Sequence, residues 1–197
     1  LTENKEKLKI FVKTWVWRIF MGSLLNFIPP FIIITMINES ENARPGDIVT
    51  WSDKYAVGIE MLDSQHRMLV ELTNQLYSAC NMGGKVLSAA FQDAMHKIVE
   101  YVRFHFSAEL KLLNSVNYPD YNHHKKMHDD LIHEILNAAK EYNEGKMLTP
   151  YNFVRTLKDW IFSHIAVYDK EYSIYIAHQK KTGVLTDKMI KEIELSI

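Results

Sequence analysis

His105 and Glu109 in HFSAE lie four residues apart, as do His124 and His128 in HKKMH. Residues at that spacing stack one turn above each other on a single face of a helix. His66, which closes LDSQH, and the pair His164 and Asp169 in HIAVYD bring in two further segments. Five imidazoles and two carboxylates spread over four amphipathic segments fit convergence on one interior point. Nitrogen and oxygen donors of this kind suit iron or another borderline transition metal. The absence of thiolates argues against a structural zinc finger. Each residue alone has a plainer reading. A helical histidine is commonly a surface or capped group, an HxxxH pair can be incidental, and Glu109 or Asp169 alone would be a solvated helix charge. Recurrence of one group per long segment favours the joint reading. His96, His123, His133 and His178 fall outside the pattern and read as structural or exposed.

His164 and Asp169 are five apart, about 140° around an ideal helix. Spacing alone would not pair them, although a local π-bulge would bring them closer.

The segments that must position these groups are helical by their apolar spacing. The first runs from about Ser64 to about Cys80, with Met68, Leu69, Leu72, Leu76 and Tyr77 as its stripe, Asp63 as N-cap and NMGG as its end. The second starts near Ser88 and passes Phe91, Met95, Ile98, Val99, Val102 and Phe106 to Leu113, before the turn NYPDY. The third covers about His123 to Tyr142 and stops at Gly145. The fourth opens on Thr149 as N-cap with Pro150 behind it and continues to about Lys180. A weaker helix follows Thr186. Short links between long helices favour antiparallel neighbours, so the expected fold is all-α, an up-down-up-down antiparallel four-helix bundle with the metal site in its core.

These residues resemble the hemerythrin family, and more closely its bacterial branch. The likeness runs from about Trp51 to about Lys180. It includes WSDKYAVGIEMLDSQH, with VGI ahead of Asp-x-Gln-His, and Trp160 four residues before His164. All seven ligand positions are filled. The stretches from His66 to His105 and from His128 to His164 are longer than in the compact animal proteins, which bears on loops and subunit assembly but leaves the site intact. The resemblance implies a cofactor of two iron ions (Fe2+/Fe3+) with a bridging oxo or hydroxo group. His124, His128 and His164 would hold one ion, His66 and His105 the other, with Glu109 and Asp169 bridging. The second ion would keep an open position for dioxygen. Ile161 looks like the residue packed over it, and Phe106 and Trp160 are further candidates for the oxygen pocket.

The implied function is reversible dioxygen binding as a carrier, store or delivery protein, not an enzyme. A ferritin-like oxidase would carry Glu-x-x-His motifs, and Glu109 is followed by Lys111 and Leu112 instead. One alternative is an oxygen or redox sensor module, for which no output domain is recognisable. Another is an enzyme handling peroxide or nitric oxide, which needs proton-delivering side chains that the sequence does not place near the open ion.

A chain of 197 residues with 47% hydrophobic content allows one cored domain plus tails. The net charge of −1 and the lack of a basic run give no case for nucleic acid. The single cysteine, Cys80, excludes an intrachain disulfide and fits a reducing compartment. The expected division is an N-terminal extension over 1–50, the helical domain over 51–180 and a tail or short helix over 181–197. Ile19 to Ile37 is nearly long enough to span a bilayer, but Asn26 and Pro29-Pro30 interrupt it. Lys5, Lys7, Lys9, Lys13 and Arg18 precede it, so a true span would place the bundle outside the cytoplasm. The preferred expectation is a cytoplasmic protein that begins functionally near Met36, with a membrane anchor through 19–37 as the alternative.

Overall fold

Buried positions recur every three or four residues along each long segment, and that spacing is what makes the helices pack. In the computed structural model, which describes residues 46–196, α1 (Glu60–Met82) buries Leu62, His66, Leu69, Thr73 and Leu76. The second long helix is α2 (Gly84–Tyr101), which buries Leu87, Phe91, Ala94, Ile98 and Tyr101, continued by a π-helical turn over Val102–Phe106 and by α3 (Ser107–Ser115). The third, α4 (Tyr121–Asn143), buries His124, His128, Leu131, Ile135 and Ala138. The fourth runs from α5 (Thr149–Trp160) through a π-helical stretch over Ile161–Asp169 into α6 (Lys170–Lys181). The metal-type residues are therefore members of the core stripes themselves.

Each long helix touches its chain neighbours, and the fourth closes the ring against α1, giving the antiparallel up-down-up-down bundle. Gly83 links α1 to α2 by itself, and its φ of 67° is the left-handed conformation that favours glycine. The second helix consequently starts at Gly84, one turn before Ser88. Asp63 is not the N-cap of α1, a place taken by Ile59; it lies in the first turn, and its carboxylate accepts from the backbone N–H groups of Val57 (2.7 Å) and Gly58 (3.1 Å). Thr149 is likewise one residue inside its helix, with Leu148 as N-cap. Met68 and Val99 point outward rather than into the core. Thr186 does cap the last helix, α7 (Asp187–Glu194), accepting from Met189 N.

Two packing features hold the ligand-bearing ends together. A strap over residues 46–59 crosses the bundle. Asn74 accepts from the Ile48 and Val49 N–H groups and donates to Val49 O, and Lys170 Nζ donates to Ala56 O at 2.7 Å. Below the ligands, Val57, Leu62, Leu112, Leu113, Tyr172 and Ile176 form a core cluster that Met189, Ile190 and Ile193 of α7 cover. Among the described residues no helix is long and apolar enough to cross a membrane. The stretch 19–37 and the start near Met36 lie outside the described residues.

Candidate metal centre

His66 comes from α1, His105 and Glu109 from the second long helix, His124 and His128 from α4, and His164 and Asp169 from the fourth. All seven are buried to 2% exposure or less. The awkward five-residue offset of His164 and Asp169 is eased by the π-helical stretch, whose wider i→i+5-bonded turn brings residues five apart nearer to one face. A second such turn contains His105, and sequence spacing gave no sign of it.

The donor atoms fall into two groups that share Glu109. One contains Glu109, His124, His128 and His164; the other contains His66, His105, Glu109 and Asp169. The Glu109 Oε2 atom lies 2.9 Å from His128 Nε2, 3.2 Å from His124 Nε2 and 3.7 Å from His105 Nε2. Asp169 divides its oxygens, with Oδ2 3.3 Å from His66 Nε2 and Oδ1 3.1 Å from His164 Nε2. The Nε2 atoms of His66 and His105, and those of His128 and His164, are 3.1 Å apart in each pair. Every imidazole thus faces inward through Nε2.

These spacings test whether a cation fits. Two ligands at right angles on a metal with bonds of roughly 2.1 Å sit about 3.0 Å from each other. Both Asp169 oxygens and Glu109 Oε1 are buried without a hydrogen-bond partner, a costly condition unless something else engages them. Electrostatics agrees. Burial alone would push the Glu109 carboxyl up, but the imidazoles around it, His105 foremost, hold it well below the usual carboxylate range. Burial and the charge of Glu109 act against ionisation of Asp169 too, yet His164 and His66 keep it low. Burial brings His105 down to about 3 and lowers His164 as well. His124 also loses from burial, but its hydrogen bond to Glu109 raises it on balance. Two ionised carboxylates among mostly neutral imidazoles leave buried negative charge, which a bound cation would offset. The residues fit a metal.

Aromatic rings brace the imidazoles. Phe106 stacks on His128 at 3.7 Å and Trp160 on His164 at 3.8 Å, so both support the three-imidazole group. Tyr101 stacks on His105 at 4.5 Å, and Trp51 of the strap approaches His66 at 6.5 Å. Ile161, beside Trp160, is fully buried. Tyr172, also fully buried, meets His124 edge-on at 5.5 Å. Sequence reasoning singled out Trp160 and passed over Tyr101 and Tyr172. A signal existed for Tyr101, which precedes His105 by four residues just as Trp160 precedes His164. His96, His123, His133 and His178 are all exposed and stand away from the cluster.

Gln65 belongs to this centre through His105, whose Nδ1–H donates to Gln65 Oε1 at 2.9 Å. That bond places the proton on Nδ1 and leaves Nε2 as the inward lone pair. Gln65→Leu should weaken metal binding by about 10- to 100-fold with little loss of helix content. Competition against a chelator measures it, and an unchanged affinity would show that the ring needs no such anchor.

A four-helix bundle that closes around shared imidazole and carboxylate donors defines a cation-binding helical domain, and residues 57–173 match the hemerythrin HHE cation binding domain. The chain belongs to the hemerythrin family. It is 28% identical over 127 residues to a bacteriohemerythrin of Stenotrophomonas maltophilia, covering 64% of this chain and 80% of the relative. A bacteriohemerythrin of Clostridium acetobutylicum is 32% identical, over 62% of this chain and 96% of the relative. A crystal structure of a hemerythrin substitution mutant superposes with a TM-score of 0.58 at 23% identity, covering 64% of this chain and 95% of that one, a likeness of fold. A domain of this family implies non-heme iron as its cation.

Proposed function

We propose that this protein binds dioxygen reversibly at a pair of iron ions and serves as an oxygen carrier, store or delivery protein, acting without chemical turnover. The observation that carries the reading is the unequal division of imidazoles, three in one ligand group and two in the other, around the shared Glu109. His124, His128 and His164 with the carboxylates offer one ion a nearly complete shell, while His66 and His105 leave the other a ligand short. Paired iron ions, when bound, would supply two adjacent one-electron couples and the oxo- or hydroxo-bridged chemistry needed to take up dioxygen and return it.

The chain's own residues favour uptake over turnover. Five neutral donors against two anionic ones suit a metal that remains in its lower oxidation state between cycles. Ile161, three residues before His164, is apolar and fully buried and would help to keep water from the centre. Stacking by Phe106, Trp160 and Tyr101 limits rotation of three of the imidazoles. The cytoplasm is the compartment we assign, consistent with a single, buried, unpaired cysteine.

Metal analysis with oxygen-dependent spectroscopy tests the proposal. The purified protein should hold about two irons per chain. After reduction, oxygen should raise a visible absorption band that disappears under vacuum. One zinc per chain and no such band would defeat it, and sustained consumption of oxygen or peroxide would replace the carrier with an enzyme.

A further inference from the structure

Tyr101 and Trp160 each carry a buried polar hydrogen with no acceptor. The Tyr101 hydroxyl and the Trp160 indole Nε1 both lie inside the protein without a hydrogen-bond partner. They are neighbours: the indole N–H approaches the phenol oxygen but falls short of hydrogen-bond geometry. They also flank the metal centre, since Tyr101 stacks on His105 and Trp160 on His164. A phenol O–H is an ordinary hydrogen-bond donor, and this one is unengaged beside the His105 ring. Tyr172, the other buried phenol of the centre, also has a hydroxyl without a hydrogen-bond partner, but its ring meets His124 of the three-imidazole group, whereas Tyr101 rests on His105 of the two-imidazole group. Buried donors without acceptors are rare in native proteins and usually mark an unseen water, ion or ligand.

We propose that Tyr101, assisted by Trp160, is the hydrogen-bond donor to a small acceptor-bearing ligand held at the His66/His105 half of the centre. The class of ligand is a diatomic or triatomic molecule with negative charge at its outer atom. Tyr101 rests on the His105 ring of that half, while fully buried Ile161, next to Trp160 in the chain, offers no donor, so the side chains there pair an apolar group with an unengaged O–H. This role rests on the proposed iron pair. It makes Tyr101 a residue that sets ligand retention and discriminates anionic or polarised ligands from apolar ones.

The test uses the full chain loaded with iron, oxidised, and titrated with azide while visible absorbance and the azide infrared stretch are followed. Tyr101→Phe keeps the ring on His105 and removes only the hydroxyl. Azide should bind about tenfold more weakly, as expected for loss of one hydrogen bond to a charged acceptor. The infrared stretch should move, with iron content and melting temperature unchanged. Trp160→Phe should shift both readouts in the same direction by less. If Tyr101→Phe matches the parent in affinity and stretch, the donor role is wrong. If it loses iron instead, Tyr101 is a support for His105 and the donor role is again wrong. A parent that takes up iron in one half alone and binds no azide overturns the iron-pair reading and this inference with it, an outcome separable from the other two.

Discussion

Glu109→Ala should empty both halves of the metal centre, whereas Asp169→Ala should leave about one ion in place of about two. The asymmetry follows from geometry. Glu109 is common to both ligand groups, and its Oε2 approaches three imidazoles within 3.7 Å. Without it, neither group keeps a carboxylate other than Asp169. Asp169 completes only the second tight group, although its Oδ1 also lies 3.1 Å from His164 Nε2 and 3.6 Å from His124 Nε2, so the whole set of His124, His128, His164 and Glu109 remains after its removal. Replacing either carboxylate also leaves a polar-lined gap at a site of 0% exposure. Metal content by elemental analysis, with circular dichroism to verify folding, decides the point. His96→Ala, His133→Ala and His178→Ala serve as controls that should bind metal as the parent does. Equal losses from Glu109→Ala and Asp169→Ala would show that the two groups are not divided as described.

The metal-free protein should begin to lose stability in weak acid, before the pH at which carboxylates ordinarily titrate. Burial holds His105 down to about 3, from an ordinary value of 6.5. The unfolded chain therefore takes up that proton first. Stability is full above pH 6.5 and is lost as pH falls through the window from 6.5 to about 3. At about 1.4 kcal/mol per pH unit, the loss is about 2 kcal/mol by pH 5 and about 5 kcal/mol across the window. The larger figure rivals the whole stability of many domains. His164, lowered by burial, acts in the same sense; His124, whose pKa is raised, opposes it in part. The low Glu109 and Asp169 values favour the folded state until pH drops below the unfolded carboxylate range. Urea unfolding at pH 7.5 and pH 5.0 in the presence of chelator measures the difference. Iron should oppose the loss, because a ligand bound only by the folded state stabilises it. A metal-free protein equally stable at both values would mean that His105 is not held neutral by burial.

The sequence reading reached the site more fully than it reached the helix ends. His105/Glu109 and His124/His128 were legible because i,i+4 spacing has one structural meaning on a helix. His66 and the His164/Asp169 pair needed the recurrence of one group per segment and the family likeness. Asp63 and Thr149 are not caps because a capping residue type marks a helix start only approximately: α1 already begins at Glu60, and Leu148 takes the cap ahead of Thr149. Asp63 is engaged by the amides of Val57 and Gly58 in the strap. The role of Gln65 toward His105 joins residues 40 apart in the chain, and no periodicity announces such a contact.

The sequence by itself determined the all-helical class, the order of four long amphipathic segments and the pairs His105/Glu109 and His124/His128, since apolar and ligand residues there obey one three-to-four spacing. The π-helical turns, by contrast, depend on the bundle. Widening a helix is unfavourable alone and is maintained where packing aligns His105, His164 and Asp169 with donors from other helices. The same holds for the sharing of Glu109 between two ligand groups and for the adjacency of Tyr101 to Trp160. Both are distances between helices, and helix–helix distance is set by how whole side-chain surfaces interlock, a property that no single segment carries.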